Sequence, residues 1–249
     1  MIPPAILDRF LTELRATSVP LVALWVHGSL AMGDYQPGRS DLDLVAVVEA
    51  ELDETRKSQV DMLHRRLIAE DPGAELLHCN YPVRSRLADD TALRHVTFRH
   101  GHLTETPVTP VTRRELLTAG LVLHGPSPAG LVPPVSDQDL NAFVRADLAG
   151  FWRPVTGKPL PWLRDVWVDS GPVTLARATV TLREGRLITK GEALDVLAEL
   201  GAPAELIDGI RARRYGTQLP PTPWYRRPRR ARLARTFVRS GIDRALGQA

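Results

Sequence analysis

The sequence is poor in cysteine and in long apolar runs. Its single cysteine, Cys79, excludes an internal disulfide and is typical of a reducing compartment, so we expect a cytoplasmic protein. Apolar runs such as Leu42–Val48 are far too short to cross a bilayer, and we expect no membrane segment. The first residues carry acids and lack a long apolar core, which argues against a secretory signal peptide.

A net positive charge is confined to the C-terminal part of the chain. Residues 211–249 hold eleven arginines and one acid, whereas the whole chain has a formal net charge of +3. Read alone, such a basic segment would indicate an RNA or an acidic partner. We interpret it instead as a solvated helix face whose apolar residues dock on a bundle. We therefore do not expect nucleic acid as a partner, and we expect a monomer.

The remaining composition is that of a globular protein, because 43% of the 249 residues are hydrophobic and 24% are charged. The first part of the chain alternates apolar runs with amphipathic segments, as α/β and α+β sheet domains do. The expected helices lie at 4–16 and 51–70, and the expected strands lie at 21–26, 42–48, 75–83 and 94–99.

A stretch rich in proline and glycine, residues 124–134, marks a domain boundary. We place one domain at 1–134 and a second at 135–249. The second region shows helical periodicity and no convincing strand, with helices expected at 136–150, 173–184, 189–200, 203–215 and 224–246. The prediction is an α+β protein: an N-terminal domain with a mixed β-sheet flanked by helices, followed by an all-α helical bundle.

Two chemically informative patterns lie close together in the first domain. Gly28 and Ser29 follow the first predicted strand, and Asp41 and Asp43 stand at the start of the second. Because strand side chains alternate, the two acids point to the same side, about 7 Å apart along the backbone. They repel each other unless a cation such as Mg²⁺ joins them. An isolated Asp-x-Asp is usually a solvated surface pair, but an upstream Gly-Ser turn able to cradle phosphate favours a metal site.

This stretch resembles the signature of the DNA polymerase β-like nucleotidyltransferase superfamily. The resemblance implies that Asp41 and Asp43 hold Mg²⁺ and act in catalysis, and that Gly28 and Ser29 contact a nucleoside triphosphate. A third acid on a later strand completes the site in that family. Glu75, which follows a charged helix and a Pro-Gly turn, is our candidate for this acid and for the general base. A solvent-facing strand start remains the alternative for Glu75.

The rest of the chain resembles the streptomycin/spectinomycin adenylyltransferases. The resemblance lies in the 124–140 linker and in three helical-domain motifs, at 174–177, 185–190 and 212–216. It implies that the second domain closes over ATP, the co-substrate, and over the acceptor. The residues that match the family's phosphate-contacting positions are Arg177, Lys190 and Tyr215. Each also has a structural interpretation: an exposed helix arginine, a helix-start lysine and a capping tyrosine.

The same resemblance places an aromatic drug contact near the end of the first helix of the second domain. Phe151-Trp152 occupies that position, so Trp152 is predicted to contact substrate, with a core position as the alternative. Residues 153–168 are longer and more basic than the family's short loop. Asp169, and less directly Asp165, are the acids available to bind an aminoglycoside's cationic groups.

The expected function is therefore transfer of AMP from ATP to a hydroxyl group of an aminoglycoside- or aminocyclitol-like molecule, releasing pyrophosphate. Such an activity is typical of antibiotic resistance. Two alternatives stay open. One is the same chemistry on a protein or RNA acceptor, which only the basic C-terminal segment favours. The other is a catalytically silent nucleotide-binding regulator, which would be expected to have lost Ser29, Asp41 or Asp43.

Overall fold

A computed structural model of the chain describes residues 5–89, 92–216 and 222–247. The chain divides into two units, Met1–Val135 and Ser136–Ala249. The first unit holds a sheet with helices on it, and the described part of the second unit contains helices and no strand. The predicted α+β fold class is thereby confirmed. The roles assigned to the two domains from the sequence stay predictions.

A mixed sheet forms the centre of the first unit. Its described strands are β1 Leu21–His27, β2 Leu42–Val48, β3 Leu77–Asn80, β4 Arg94–Arg99, β5 His102–Pro107 and β6 Leu121–His124. They lie in the order β5-β4-β3-β2-β1-β6. The pair β2 and β3 is parallel and the other neighbours are antiparallel. Strand β2 is central and buried, which explains its nearly continuous Val and Leu content.

Two of the described helices in the first unit begin at side-chain caps. The described helices of this unit are α1 Ala5–Arg15, α2 Gly28–Ala31, α3 Glu54–Glu70 and α4 Pro110–Ala119. The carboxylate of Asp53 accepts from the N–H of Arg56 at the start of α3, and the Thr109 hydroxyl caps α4 in the same way. Pro110 occupies the first position of α4, where its missing N–H costs nothing.

The two faces of the sheet carry separate apolar cores. Side chains such as Leu24, Val26 and Ala46 pack with α1 and α3 in the larger core. The alternating residues, among them Trp25 and Val45, pack on the opposite face with Leu116, Leu87 and Val132. Asp43 has the same parity as Val45, so its side chain projects from the α4 face, at the end of β2.

The described part of the second unit is a helical assembly, and side chains cap the starts of two of its helices. Its helices are α5 Asp137–Asp147, α6 Arg153–Thr156, α7 Asp165–Glu184, α8 Lys190–Glu199, α9 Ala204–Tyr215 and α10 Arg227–Ala245. Thr189 and Glu192 form a capping box at the start of α8. Gly185 ends α7 with a left-handed φ of 67°. None of the described helices is long and apolar enough to cross a membrane.

Several element bounds differ from the sequence-based expectations. The expected strand at 75–83 is confined to Leu77–Asn80, because Pro72–Leu76 forms a 3-10 helix capped by Asp71. Helix α7 begins at Asp165 rather than at 173, since the helix tolerates a buried proline, Pro172, in its interior. Helix α4 and the strands β5 and β6 are absent from the sequence-based expectations. Strand β5 is rich in threonine, and β6 is short and partly exposed.

His64 on α3 gives the fold a predictable response to acid. Its ring is buried, stacks on Phe98 with centroids 4.0 Å apart, and lies 2.8 Å from the Tyr81 hydroxyl. Burial, with a smaller contribution from the charge of His78, lowers the pKa of His64 to about 3. The unfolded chain has a pKa of about 6.5 and takes up the proton first, so stability falls as pH drops below that value.

We expect the free energy of unfolding to fall by about 2 kcal/mol more in the wild type than in His64→Gln between pH 7 and pH 5. The Gln variant lacks the titrating group, which makes it the internal reference for every other pH effect. Urea denaturation of both proteins at the two pH values measures how far each free energy of unfolding falls. An equal fall in the two proteins would show that His64 takes up a proton in the folded protein as easily as in the unfolded chain.

Candidate active site

Asp41 and Asp43 lie on one side of the sheet at the start of β2. Asp41 immediately precedes the strand, and Asp43 is its second residue. The side chains are 41% and 33% exposed, so solvent and small ions reach both carboxylates. One oxygen from each lies within 4.8 Å of the other and of a ring nitrogen of His78. This geometry is able to hold a divalent cation, because two carboxylates this close repel each other without one.

The turn at Gly28 and Ser29 packs directly against Asp43. Gly28 has a φ of +66°, and a Cβ built on it would lie 2.6 Å from Asp43 Oδ2. Glycine is therefore required here both for its backbone conformation and for the space it leaves. The Ser29 hydroxyl is buried and has no hydrogen-bond partner among the described residues. An unsatisfied buried hydroxyl in the residue after Gly28 is suited to donate to a phosphate oxygen.

A partly buried His–Glu pair adjoins Asp43. His27 is the cross-strand partner of Asp43, and its Nδ1 lies 3.0 Å from Oε2 of Glu115 on α4. Burial lowers the pKa of His27, but the hydrogen bond to Glu115 and the charges of Asp43 and Glu115 outweigh burial and raise it. A protonated His27 would partly balance the acids. Sequence reasoning missed this pair because His27 and Glu115 are far apart in the chain.

The structure adds His78 to the predicted acids. His78 on β3 is the parallel partner of Asp43, and its Nδ1 lies 3.7 Å from Asp43 and 4.0 Å from Asp41. The residue is 7% exposed. A signal was present in the sequence: His78 and Asn80 alternate with the apolar residues Leu77 and Cys79, which places both polar side chains on one face of a strand.

A cavity of about 320 Å³ opens beside Asp43 on this face of the sheet. Its polar lining includes Asn80, whose amide donates to the Thr106 carbonyl and hydroxyl oxygens, and whose Oδ1 is buried without a partner in the described chain. The other polar side chains that line it are those of His27, His78, Thr97, Arg99, Thr109 and Thr112. Hydroxyl and amide groups of this kind match a ligand rich in hydroxyl groups.

Glu75 lies outside the group formed by Asp41, Asp43 and His78. It belongs to the 3-10 helix Pro72–Leu76, two residues before β3, and is exposed. The expectation that Glu75 stands on a strand is wrong, because the residues after Asp71 form a 3-10 helix and β3 begins only at Leu77. Its role as general base stays a prediction.

The three predicted phosphate-contacting residues lie in the second unit, on α7, α8 and α9. The guanidinium of Arg177 donates to the Ile188 carbonyl at 2.8 Å. This hydrogen bond ties Arg177 to the segment that leads into Lys190, because Ile188 is two positions before Lys190 in the sequence. Lys190 is exposed and is the first residue of α8. The hydroxyl of Tyr215, the last residue of α9, accepts from Arg214 at 3.1 Å.

Trp152 ends a π-helical turn, Leu148–Trp152, that separates α5 from α6. Such turns are frequent at functional sites. Its ring forms a cluster with Phe151 and Trp167, with centroids 5.4 Å and 5.9 Å away. Trp152 is partly exposed and Phe151 is 46% exposed. The cluster therefore presents aromatic surface and is not part of a closed core.

The carboxylate of Asp169 on α7 is already paired within the second unit. Nε of Arg213 lies 2.8 Å from one oxygen, and Nη2 lies 2.6 Å from the other, which is a two-pronged ion pair. Burial raises the pKa of Asp169, although Arg213 opposes this rise. Asp165, the other candidate acid, pairs with Arg230. A substrate role for Asp169 stays a prediction and would require its carboxylate to be shared with Arg213.

Residues 7–85 match the family model of the nucleotidyltransferase domain. The chain therefore carries a nucleotidyltransferase domain, and the protein is a nucleotidyltransferase enzyme with the predicted resemblance to the DNA polymerase β-like superfamily. Among solved structures, the chain is similar to the crystal structure of spectinomycin adenyltransferase AAD(9) from Enterococcus faecialis with ATP and spectinomycin. The TM-score is 0.70 at 15% identity, over 95% of this chain and 96% of that one.

At this identity the likeness to AAD(9) concerns the fold, and this is the fold that the resemblance to aminoglycoside adenylyltransferases implied. No curated protein sequence matches the chain significantly.

Proposed function

We propose that the protein transfers AMP from ATP to a hydroxyl group of an aminoglycoside- or aminocyclitol-like molecule and releases pyrophosphate, with Mg²⁺ held by Asp41 and Asp43. One observation carries the proposal: the two carboxylates lie together beside the Gly28 turn and an open polar cavity. ATP and spectinomycin in the similar AAD(9) structure support the choice of nucleotide and of acceptor class.

Bound Mg²⁺ would neutralise charge on the phosphate oxygens as pyrophosphate leaves. The residues of the chain orient the reactants. Gly28 allows the backbone to approach the triphosphate closely, and the unsatisfied Ser29 hydroxyl donates to it. We assign Arg177, Lys190 and Tyr215 to the phosphates as well, because a triphosphate needs cationic and hydroxyl groups beyond the metal.

We assign Trp152 and its aromatic neighbours to the acceptor. In the first unit, the polar cavity beside Asp43 offers hydroxyl and amide contacts to a ligand rich in hydroxyl groups. Aromatic faces attract the ammonium and guanidinium groups of aminoglycosides. We further propose a cytoplasmic location and a role in antibiotic resistance, which follow from the acceptor class and from the lone, buried Cys79.

An RNA or acidic protein acceptor is less well supported. Several arginines at or near the basic helix α10 already pair with acids of the same unit: Arg229 with Glu205, Arg230 with Asp165 and Arg239 with Asp243. A silent regulator is also less well supported, because Ser29, Asp41 and Asp43 are all present and adjacent.

The direct test is pyrophosphate release by purified protein with ATP, Mg²⁺ and a panel of aminoglycosides that includes streptomycin and spectinomycin. Release that depends on one of these acceptors is expected. If no aminoglycoside in the panel causes pyrophosphate release, but total RNA or protein does, the acceptor is a macromolecule and the proposed acceptor class is wrong. Glu75→Gln in the same assay tests the general base, since a base replaced by an amide loses about 10²-fold or more in rate.

Replacing Trp152 with Ala is expected to raise the acceptor KM by about tenfold and to leave the KM for ATP unchanged. The reason is that the ring offers partly exposed aromatic surface to a cationic acceptor. Steady-state kinetics with each substrate varied in turn provide the measurement. Trp224→Ala is the matched control, because Trp224 is 80% exposed and, among the described rings, contacts only Tyr225, edge to face. Weaker ATP binding in Trp152→Ala would instead assign Trp152 to the fold.

A further inference from the structure

The side chains at the metal site include a nitrogen donor as well as two carboxylates. Strand β3 runs parallel to β2 and sets His78 directly beside Asp43. The ring nitrogen Nδ1 is 3.7 Å from Asp43 Oδ1 and 4.0 Å from Asp41 Oδ2. These distances are too long for hydrogen bonds, so the ring faces both acids without being tied to either.

His78 is held in this position by burial rather than by polar contacts. The side chain is 9% exposed, and its Nε2 is buried without a hydrogen-bond partner in the described chain. The ring of His100 packs against it edge to face, with centroids 4.6 Å apart. His100 stands at the β4–β5 turn with a left-handed φ of 50°, which the following Gly101 continues. A ligand on Nδ1 would not satisfy the buried Nε2, so the case for a ligand rests on Nδ1, the ring nitrogen that faces both acids.

Together the three residues supply two oxygens and one nitrogen within 4.8 Å of one another. Ligands placed about 2.1 Å from one ion are at most roughly 4.2 Å apart, so a small rotation of the exposed carboxylates closes the site. Mg²⁺ prefers oxygen ligands alone, whereas imidazole favours first-row transition metals, and carboxylates suit Mn²⁺ among these.

We infer that His78 Nδ1 is a third protein ligand of the cation held by Asp41 and Asp43, and that this nitrogen makes the site prefer Mn²⁺ to Mg²⁺. The inference deepens the proposed function, on which it rests, by naming the preferred ion. No electron or group transfer is involved, because Mn²⁺ stays divalent and performs the same charge neutralisation.

The test uses metal ions without ATP or acceptor. Mn²⁺ is the bound probe, and Mg²⁺ is added as a competitor to compare the two affinities. Pulsed electron paramagnetic resonance of bound Mn²⁺ should show coupling to a ¹⁴N nucleus in the wild type. His78→Asn and His78→Asp should lose that coupling. His78→Asp, which supplies a third carboxylate, should lower the ratio of Mn²⁺ to Mg²⁺ affinity by at least about tenfold. His102→Asn is the matched control, since His102 is a histidine at the start of β5, two residues after His100, and does not belong to the ligand group.

Bound Mn²⁺ without ¹⁴N coupling in the wild type would overturn the inference, whatever the His78 variants do. Coupling that persists in folded His78→Asn would overturn it as well. Neither result touches the proposed function, which requires only that Asp43→Asn lose Mn²⁺ or Mg²⁺ binding. A folded Asp43→Asn variant that binds both ions normally would defeat the proposed function itself.

Discussion

Replacing Asp43 with Asn is expected to reduce the rate of AMP transfer by at least about 10³-fold while leaving the fold intact. Charge neutralisation by a metal contributes several kcal/mol to the transition state, and each 1.36 kcal/mol is about tenfold in rate. Asn keeps the size of the side chain but removes half of the paired negative charge that faces His78. The release of pyrophosphate measures the loss.

The thermal midpoint of Asp43→Asn should stay within about 2 °C of the wild type, because relief of the Asp41–Asp43 repulsion offsets the lost attraction to His27. The matched control is Asp61→Asn, the same chemical change on α3, where Asp61 pairs with Arg65. This control should keep full activity. An Asp43→Asn enzyme as fast as the control would show that the carboxylate pair holds no catalytic metal.

Local patterns in the sequence were sufficient for the centre of the first unit. The near-continuous apolar run of β2 predicts a buried strand, and the predicted bounds 42–48 are those observed. The alternation of side chains along that strand then predicts that Asp41 and Asp43 share a face, and their oxygens do lie close together. Both conclusions depend only on neighbours in the chain, which is why no tertiary information was needed.

The remaining parts of the site depend on contacts between distant residues. His78 adjoins Asp43 only because β3 pairs in parallel with β2, and the register of that pair is not encoded in either strand alone. The link between His27 and Glu115 spans 88 positions. The prediction of Glu75 as the third acid depends on a strand that begins at this residue, whereas the 3-10 helix before β3 leaves Glu75 exposed.

Replacing Gly28 with Ala is expected to lower the turnover number by about 10²-fold with only a modest loss of stability. The added methyl group would lie 2.6 Å from Asp43 Oδ2, so either the carboxylate or the turn has to move. A displacement near 1 Å of a reacting or metal-holding group costs about 10²-fold in rate. The left-handed φ of +66° adds about 1–2 kcal/mol of backbone strain, which lowers the thermal midpoint by a few degrees.

Gly38→Ala separates the two effects of Gly28→Ala. Gly38 has a similar φ of +71°, but a Cβ there would meet no atom within 4 Å. Its Ala variant should therefore lose a comparable amount of stability and keep its turnover number. If both variants lose activity equally, backbone strain and not the contact with Asp43 limits the reaction. If Gly28→Ala turns over at the wild-type rate, the position of the Asp43 carboxylate does not control catalysis, and the role assigned to this turn is wrong.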